Sequence, residues 1–225
     1  MGRVSEIRFD AGWQMEACIQ DTGSAIPSAG QYLLACARDD PSEVLGSPIF
    51  ITEHIHGGYW TAPPVPTAWR PGTNLELIGP MGHGFCLPAG IQRLGLAALG
   101  DTAARLKPVI DRYAGSQTGM TLFTDLPLPK IPTSLEAYPL AYLAEALDWP
   151  DMMVFDLPAE SLPELRDLLH LPEGANLPCP AQVLVTMPMP CAGLAQCGAC
   201  AIPARRGWKL VCEDGPVFDL RQLKW

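Results

Sequence analysis

Four of the eight cysteines in this chain fall within 22 residues near its carboxyl end, and their spacing constrains the fold more than any other feature. They are Cys191, Cys197, Cys200 and Cys212, in the arrangement C-x5-C-x2-C-x11-C. Plant-type [2Fe–2S] sites use C-x4-C-x2-C followed by a distant fourth cysteine, so one loop here is a residue longer. The spacing therefore predicts a [2Fe–2S] cluster with these four thiolates as its ligands.

Small residues in the cysteine loop favour the same interpretation. Gly193, Gly198 and Ala199 leave room for the backbone to approach a cluster closely and to donate N–H groups to its sulfurs. We expect Cys212 to come from a separate strand and to complete the set of ligands.

Zinc bound by four cysteines is the alternative. Such zinc sites usually combine two short C-x2-4-C knuckles, and here only Cys197 and Cys200 form one. The remaining cysteines are scattered, and we expect them to be buried as small hydrophobic residues: Cys18, Cys36, Cys86 and Cys179.

Composition excludes several classes of function. The chain has 225 residues, of which 48% are hydrophobic and 17% charged, as in a globular protein with one large or two small domains. A net charge of -9 without a Lys/Arg run argues against nucleic-acid binding. There is no secretory signal and no run of about 18 apolar residues, so we expect a cytoplasmic protein without membrane insertion. Motifs of hydrolases and kinases are also absent, and we assign no catalytic residue.

The first half of the chain has the pattern of an antiparallel β-barrel. Short apolar runs alternate with Gly- and Pro-rich turns, and the following strands are predicted: Val4–Phe9, Trp13–Ile19, Gln31–Cys36, Pro48–Thr52 and Leu75–Ile78. The stretch 59–72 holds four prolines and is predicted to be an irregular loop.

The second half alternates strands with helices, which predicts a doubly wound, mostly parallel sheet. Strands are predicted at Gln92–Leu99, Met120–Thr124, Met152–Phe155 and Gln182–Met187. Helices are predicted over Asp101–Ala114, kinked or shortened by Pro108, from Thr133 to about Leu147 after a capping box, and from Ser161 to about Leu169.

Three segments resemble a known family. Cys197-Gly-Ala-Cys200 and Val211-Cys-Glu-Asp-Gly-Pro-Val-Phe218 are similar to the cluster region of the dihydroorotate dehydrogenase electron-transfer subunit. Gly79-Pro-Met-Gly-His-Gly-Phe85 is similar to the Gly-Pro-Leu-Gly-x-Gly-Phe sequence at the end of that family's barrel. The chain thus resembles a divergent member of this ferredoxin reductase-like family.

The resemblance implies three parts. Residues 1–88 correspond to the FAD-binding barrel, 89–187 to the nucleotide-binding α/β domain, here degenerate, and 188–225 to the [2Fe–2S] region. In the family, the cluster passes electrons to a dihydroorotate dehydrogenase catalytic subunit that holds FMN, in pyrimidine biosynthesis. A hetero-oligomer with such a flavoprotein is therefore expected.

The flavin site departs from the family pattern. Its Arg-Pro-x-Ser stretch, which contacts the pyrophosphate and the flavin ring, reads Ser47-Pro-Ile-Phe50 here. Ser47 cannot replace the charge-assisted contact of an arginine, although Phe50 can stack on a flavin. The resemblance leaves FAD open, with these residues as its expected contacts: Pro48, Phe50, Gly79, Pro80, Gly82 and Gly84.

The nicotinamide site departs further. The family's Gly-Gly-Gly-x-Gly loop reads Ala97-Ala-Leu-Gly-Asp-Thr102, so Asp101 places a carboxylate where an anion should bind. The family's later Cys-Gly-Pro motif is replaced by Phe155-Asp-Leu-Pro158. We therefore do not expect NAD to bind.

These features together predict a redox relay. The chain is expected to transfer electrons through a [2Fe–2S] cluster to or from a partner flavoprotein. A zinc-containing structural adaptor without redox activity is the alternative. A complete NADH-dependent reductase with strongly altered cofactor sites is a third interpretation.

Overall fold

The computed structural model describes residues 1–21, 23, 25–38, 45–128, 131–172, 174–191 and 193–225. Within these ranges, no helix is both long enough and apolar enough to cross a membrane.

The amino-terminal part is a closed barrel of six antiparallel strands, as predicted. They are β1 (Gly2–Phe9), β2 (Met15–Asp21), β3 (Tyr32–Ala37), β4 (Ser47–Ile55), β5 (Gly58–Thr61) and β6 (Asn74–Met81), and they close in the order β1-β2-β5-β4-β3-β6. Trp69, Leu33 and Leu75 are fully buried at its centre, where side chains from neighbouring strands converge. The barrel closes where β1 meets β6, through the pairs Gly2–Leu75 and Arg3–Asn74.

Strand β5 lies inside the stretch that was predicted to be a loop. The prediction for 59–72 is wrong at its start, because the β5 strand ends at Thr61, before the first proline of the segment at Pro63. The prolines dominate the sequence pattern but do not reach the residues that pair with β4 and β2.

The second part is a six-stranded sheet. Its strands are β7 (Arg93–Ala98), β8 (Gly119–Phe123), β9 (Leu135–Tyr138), β10 (Met152–Pro158), β11 (Ala181–Thr186) and β14 (Val217–Asp219). Between β11 and β14, the strands β12 (Ala201–Pro203) and β13 (Trp208–Leu210) form a separate hairpin. The order is β14-β11-β10-β7-β8-β9, and every neighbouring pair is parallel except β11 and β14. This is the doubly wound sheet that the sequence predicts.

The helices are short. They are α1 (Lys107–Tyr113), α2 (Leu162–Leu168) and α3 (Val211–Asp214), with 3-10 turns at Ala104–Leu106, Leu140–Tyr142, Ala144–Ala146, Ala159–Ser161 and Leu220–Gln222. The helix predicted from Asp101 begins only at Lys107, because Pro108 suits the first turn of a helix and not its interior. Asp101 does not cap it and instead pairs with Arg105.

The helix predicted from Thr133 to Leu147 is wrong. Leu135–Tyr138 form the edge strand β9, parallel to β8, and Pro139 follows it. The Thr-x-x-Glu pattern is present, but pairing with the exposed edge of β8 overrides this local helix signal.

Strand β14 anchors the carboxyl-terminal region to the sheet. Phe218 pairs with Val183 of β11, and Val217 pairs with Leu184. Sequence reasoning missed this strand, because three residues are too short to show a period. The cysteine-rich region is consequently packed on the sheet along one edge and shares its hydrophobic core.

Candidate metal centre

The four clustered cysteines come together as two pairs. The Sγ atoms of Cys200 and Cys212 are 3.2 Å apart, and both side chains are buried. Cys191 is half-buried and shares a hydrogen bond with the exposed Cys197. All eight cysteines lie in described segments and none forms a disulfide. The sequence thus brings its four predicted ligands to one region of the molecule.

The hairpin of β12 and β13 connects the buried Cys200 and Cys212, called the inner pair below; Cys191 and Cys197 are the outer pair. Cys200 directly precedes β12, and Cys212 lies on α3 directly after β13. The N–H of Val211 donates to the carbonyl of Cys200 at 3.0 Å and closes the base of the hairpin. Cys212 was expected on a strand, and this detail is wrong because the chain turns into α3 as soon as β13 ends.

The small residues of the cysteine loop include two glycines in the left-handed region and one backbone donor to sulfur. Gly193 and Gly198 have positive φ of 77° and 68°, which glycine adopts without strain. The N–H of Ala199 donates to Cys197 Sγ at 3.4 Å, and the N–H of Cys212 lies 3.5 Å from Cys200 Sγ. Backbone donors therefore point at the sulfurs, as in iron–sulfur sites.

The two pairs differ in their electrostatics. The pKa of Cys191 is lowered to about 6, first by the hydrogen bond from Cys197 and then by backbone N–H groups. Burial, reinforced by Cys200, raises the pKa of Cys212 to about 12. Burial and the neighbouring thiols also raise the pKa of Tyr32, whose hydroxyl donates to the carbonyl of Cys212 at 3.4 Å. Cys191 therefore loses its proton more readily than a free thiol, whereas Cys212 needs a metal to hold it as a thiolate.

The arrangement bears on the choice between one metal ion and two. Across the part of the chain that the structure describes, no three His, Cys, Asp or Glu side chains gather closely enough to hold one ion. A single tetrahedral zinc would need all four sulfurs about 3.8 Å from one another. Two irons that share four thiolates take them as pairs, which is the pattern seen here.

The scattered cysteines follow the prediction only in part. Cys18 is buried in the barrel, and Cys36 and Cys179 are half-buried. Cys86 is exposed, so the expectation of burial is wrong there, because the residue lies in the segment between β6 and β7, outside any strand or helix.

The glycine segment at the end of the barrel packs against the chain itself. A Cβ atom at Gly82 would lie 2.4 Å from Pro216 Cδ and 2.6 Å from the carbonyl oxygen of Gly215. The N–H of His83 donates to that same carbonyl at 2.6 Å. A Cβ at Gly84 would lie 2.6 Å from the carbonyl oxygen of Ala29. Gly82 therefore allows close packing on the cysteine region, and Gly84 allows close packing on the segment before β3. Flavin contacts at Gly79, Pro80, Gly82 and Gly84 stay a prediction.

A cleft of about 550 Å³ separates the barrel from the carboxyl ends of the sheet strands. Pro48 and Phe50, the other predicted flavin contacts, line it. Phe50 is only 7% exposed, and its ring centroid lies 6.0 Å from that of Tyr32 and 6.0 Å from the Arg105 guanidinium carbon. Little of this ring faces the cleft, so a flavin has little aromatic surface on which to stack.

A buried ion pair fills the point where nucleotides bind in doubly wound sheets. Asp156 on β10 is 0% exposed and accepts from Arg105 Nε at 3.0 Å with both carboxylate oxygens. Asp101 accepts from the same guanidinium at 2.5 Å. Burial raises the pKa of Asp156 to about 6, and Arg105 opposes this shift.

The cleft does not fit a dinucleotide. Among the described residues that line it, Arg105 is the one basic side chain, and two carboxylates already neutralise its charge. Glu160 adds a further acidic group at the rim. A pyrophosphate would find no uncompensated cation here. Sequence reasoning missed this ion pair, although a charged residue inside the apolar run of β10 is a signal for a buried partner.

Comparison with known proteins supports the cysteine region and the fold. Residues 189–224 match the model of the iron–sulfur cluster binding domain of dihydroorotate dehydrogenase B. No curated protein matches the sequence.

Solved structures share the fold at low sequence identity. An NADH-dependent reduced ferredoxin–NADP oxidoreductase, studied for flavin-based electron bifurcation, has a TM-score of 0.76 at 15% identity over 100% of this chain and 90% of its own. The ferredoxin reductase of carbazole 1,9a-dioxygenase, in an FAD apo form, has a TM-score of 0.57 at 16% identity over 76% of this chain and 64% of its own. Ferredoxin–NADP+ reductase from Plasmodium falciparum has a TM-score of 0.56 at 8% identity over 78% of this chain and 90% of its own.

The closed barrel and the parallel sheet form a ferredoxin reductase-like fold, and residues 189–224 match an iron–sulfur binding domain. The matched domain model is that of dihydroorotate dehydrogenase B, whose electron-transfer subunit the cysteine tail and the glycine segment resemble.

Proposed function

We propose that this chain relays single electrons through a [2Fe–2S] cluster to or from a partner flavoprotein. The observation that carries the proposal is the pairing of the four thiols, Cys191 with Cys197 and Cys200 with Cys212, in the region that matches an iron–sulfur binding domain. One iron would be held by each pair, and the cluster would supply one-electron chemistry.

The residues around the thiols would shape that chemistry. The hairpin and α3 bury Cys200 and Cys212 and so exclude water from the inner pair. Backbone N–H groups of Ala199 and Cys212 aim at sulfur atoms, an arrangement that favours added negative charge on reduction. The exposed side is that of Cys197, where a partner can come within electron-transfer distance.

A relay suits this chain better than an NADH oxidase. The nucleotide position is occupied by Arg105 and Asp156, and the cleft offers no uncompensated cation. Electrons would therefore enter and leave by way of other subunits. We propose a dihydroorotate dehydrogenase-type catalytic flavoprotein as the partner, in a cytoplasmic hetero-oligomer of pyrimidine biosynthesis.

Metal and spectroscopic analysis tests the proposal. Anaerobically purified protein should contain about two irons and two acid-labile sulfides per chain and give an EPR signal after dithionite reduction. Cys212→Ser should abolish the signal, whereas Cys86→Ser, at an exposed cysteine outside the site, should retain it. About one zinc and no iron would instead establish the structural adaptor.

Flavin analysis separates the relay from a complete reductase. NADH should not bleach the purified protein, whether or not heat denaturation of this chain releases FAD. Release of FAD together with bleaching by NADH would overturn the relay and restore the third interpretation.

A further inference from the structure

The carboxyl-terminal region differs in charge from the rest of the molecule. Residues 188–225 hold five basic and three acidic residues, whereas the remainder holds ten basic and 21 acidic residues. A positive region in a chain of net charge -9 is a local feature that can orient charged partners.

The positive charge is concentrated on the hairpin between Cys200 and Cys212. A groove of about 480 Å³ beside it is lined by Ala204, Arg205, Arg206, Lys209, Arg221 and Gln222. Across the described ranges, no carboxylate forms an ion pair with Arg205 or Arg206, and Arg205 donates to the neutral amide of Asn176 at 2.8 Å. Lys209 and Arg221 are each paired with an aspartate. Two uncompensated positive charges therefore remain at the tip.

The hairpin is held in place by the rest of the chain. The N–H of Arg205 donates to the carbonyl of Gln222 at 2.8 Å, and that of Lys224 donates to the carbonyl of Pro203 at 3.1 Å. Ala204 is buried and bridges to Leu223. A fixed surface of this kind loses little conformational entropy when a partner binds.

Large apolar side chains lie exposed on the same region. Trp208 of the hairpin is 71% exposed, and Leu194 of the cysteine loop is 68% exposed. Tryptophan and arginine are the residues most enriched at the energetic centres of interfaces. Their combination beside the candidate cluster is typical of a protein docking surface.

The hairpin tip is close enough to the inner cysteines for its charges to influence electron transfer there. Each strand of the hairpin has three residues, so its tip lies roughly 10 Å from the inner cysteines. This length is comparable to the Debye length of about 10 Å at 0.1 M salt. The charges of Arg205 and Arg206 are therefore felt at the cluster approach at low and moderate salt.

We propose that the hairpin 201–210 is the surface on which the acidic face of the electron-transfer partner docks, an inference that rests on the proposed function. Arg205 and Arg206 would attract the carboxylates of that face, and Trp208 would be covered. The partner would thereby be held next to the two cysteines that the hairpin connects.

Oxidation by a small anion measures the local field. Dithionite-reduced, cluster-loaded protein gives one electron to ferricyanide, which becomes ferrocyanide, and stopped-flow absorbance follows the rate. A positive approach predicts a rate that falls as salt rises, although the whole protein is negative. A rate that rises with salt would overturn the proposal, and absence of a cluster absorbance would instead reject the proposed function.

Charge-reversal variants test whether Arg206 is a source of the salt dependence. Arg206→Glu should remove or invert the salt dependence, whereas Arg112→Glu, on the exposed side of α1, should leave it unchanged. In the co-purified complex at 50 mM salt, Arg206→Glu should also raise the Kd for the flavoprotein subunit by about tenfold, the effect of about 1.4 kcal/mol. Equal affinity of the two variants, or a salt-sensitive dimer of this chain that Arg206→Glu dissociates, would overturn the assignment.

Discussion

Arg105 shows at the scale of single residues how the sheet has closed its ligand position. Its guanidinium is shared by buried Asp156 and half-exposed Asp101. Such a pair is a weak source of net stability, but the loss of one partner is costly because the other stays charged and buried.

Arg105→Gln should therefore destabilise the fold by about 3–5 kcal/mol at pH 8. The loss of stability should be smaller at pH 5, because the variant can then protonate Asp156. The pKa of this carboxyl is about 6 in the folded protein, against an ordinary 3.8. Because the folded state holds the proton more tightly, stability from this group rises as pH falls through that window. Urea denaturation at the two pH values measures the difference.

Asp101→Asn is the matched control for that experiment. Its carboxylate is partly exposed, so the variant should lose under about 1 kcal/mol. Equal losses in the two variants, or a loss at Arg105 that does not depend on pH, would contradict the assigned role of the Asp156 carboxyl.

At the scale of single residues, the sequence is informative where the spacing of the residues restricts their geometry. The positions of the four cysteines alone brought the candidate ligands into view, because short loops between ligands restrict the geometry. Arg105 and Asp156 are 51 residues apart, and the sheet brings them together. No local pattern connects such a pair.

Elements were predicted best where they are long and apolar. The strands β7, β10 and β11 are buried runs, and the sequence places each within a few residues. The strands β9 and β14 were missed because their residues become strands only through pairing with β8 and β11. Tertiary pairing at sheet edges is not visible in a local window.

The contact between the end of β6 and the cysteine region allows a test at the scale of elements. Gly82→Ala should lower stability and iron retention, since a Cβ there would meet the backbone oxygen of Gly215 at 2.6 Å. Gly90→Ala shares the positive φ but has open space around it, so its loss should be limited to about 1–2 kcal/mol of backbone strain.

Thermal denaturation and iron content of the two variants measure this difference. If Gly82→Ala and Gly90→Ala lose the same stability and the same iron, the barrel does not support the cysteine region through this contact.

The whole molecule combines a closed barrel, a sheet and a cysteine region that shares the core of the sheet. The sequence predicted these three parts and their order. It could not predict that β14 returns to the sheet, and this return makes the cysteine region part of one folded body. A bound cluster should consequently stabilise the entire chain.

Removal of iron should lower the Tm of the wild-type protein by roughly 5–10 °C, because a ligand bound only by the folded state adds to its stability. The far-UV circular dichroism should change little, since most strands lie outside the cysteine region. Differential scanning calorimetry before and after chelation measures the shift.

Cys212→Ser should show no further fall in Tm on chelation, and Cys86→Ser should behave like the wild type. A wild-type Tm that does not change when iron is removed would mean that the thiols do not bind a cluster in the folded state.

The packing of Pro216 against Gly82 restricts which substitutions this chain can accept during evolution. Even without any ligand in the barrel, position 82 cannot acquire a side chain unless the turn that follows Cys212 moves away. A larger residue at position 82 therefore requires a compensating substitution in the turn that follows Cys212. The small size of Gly82 is required by a neighbouring stretch of the same polypeptide, independently of anything that the barrel binds.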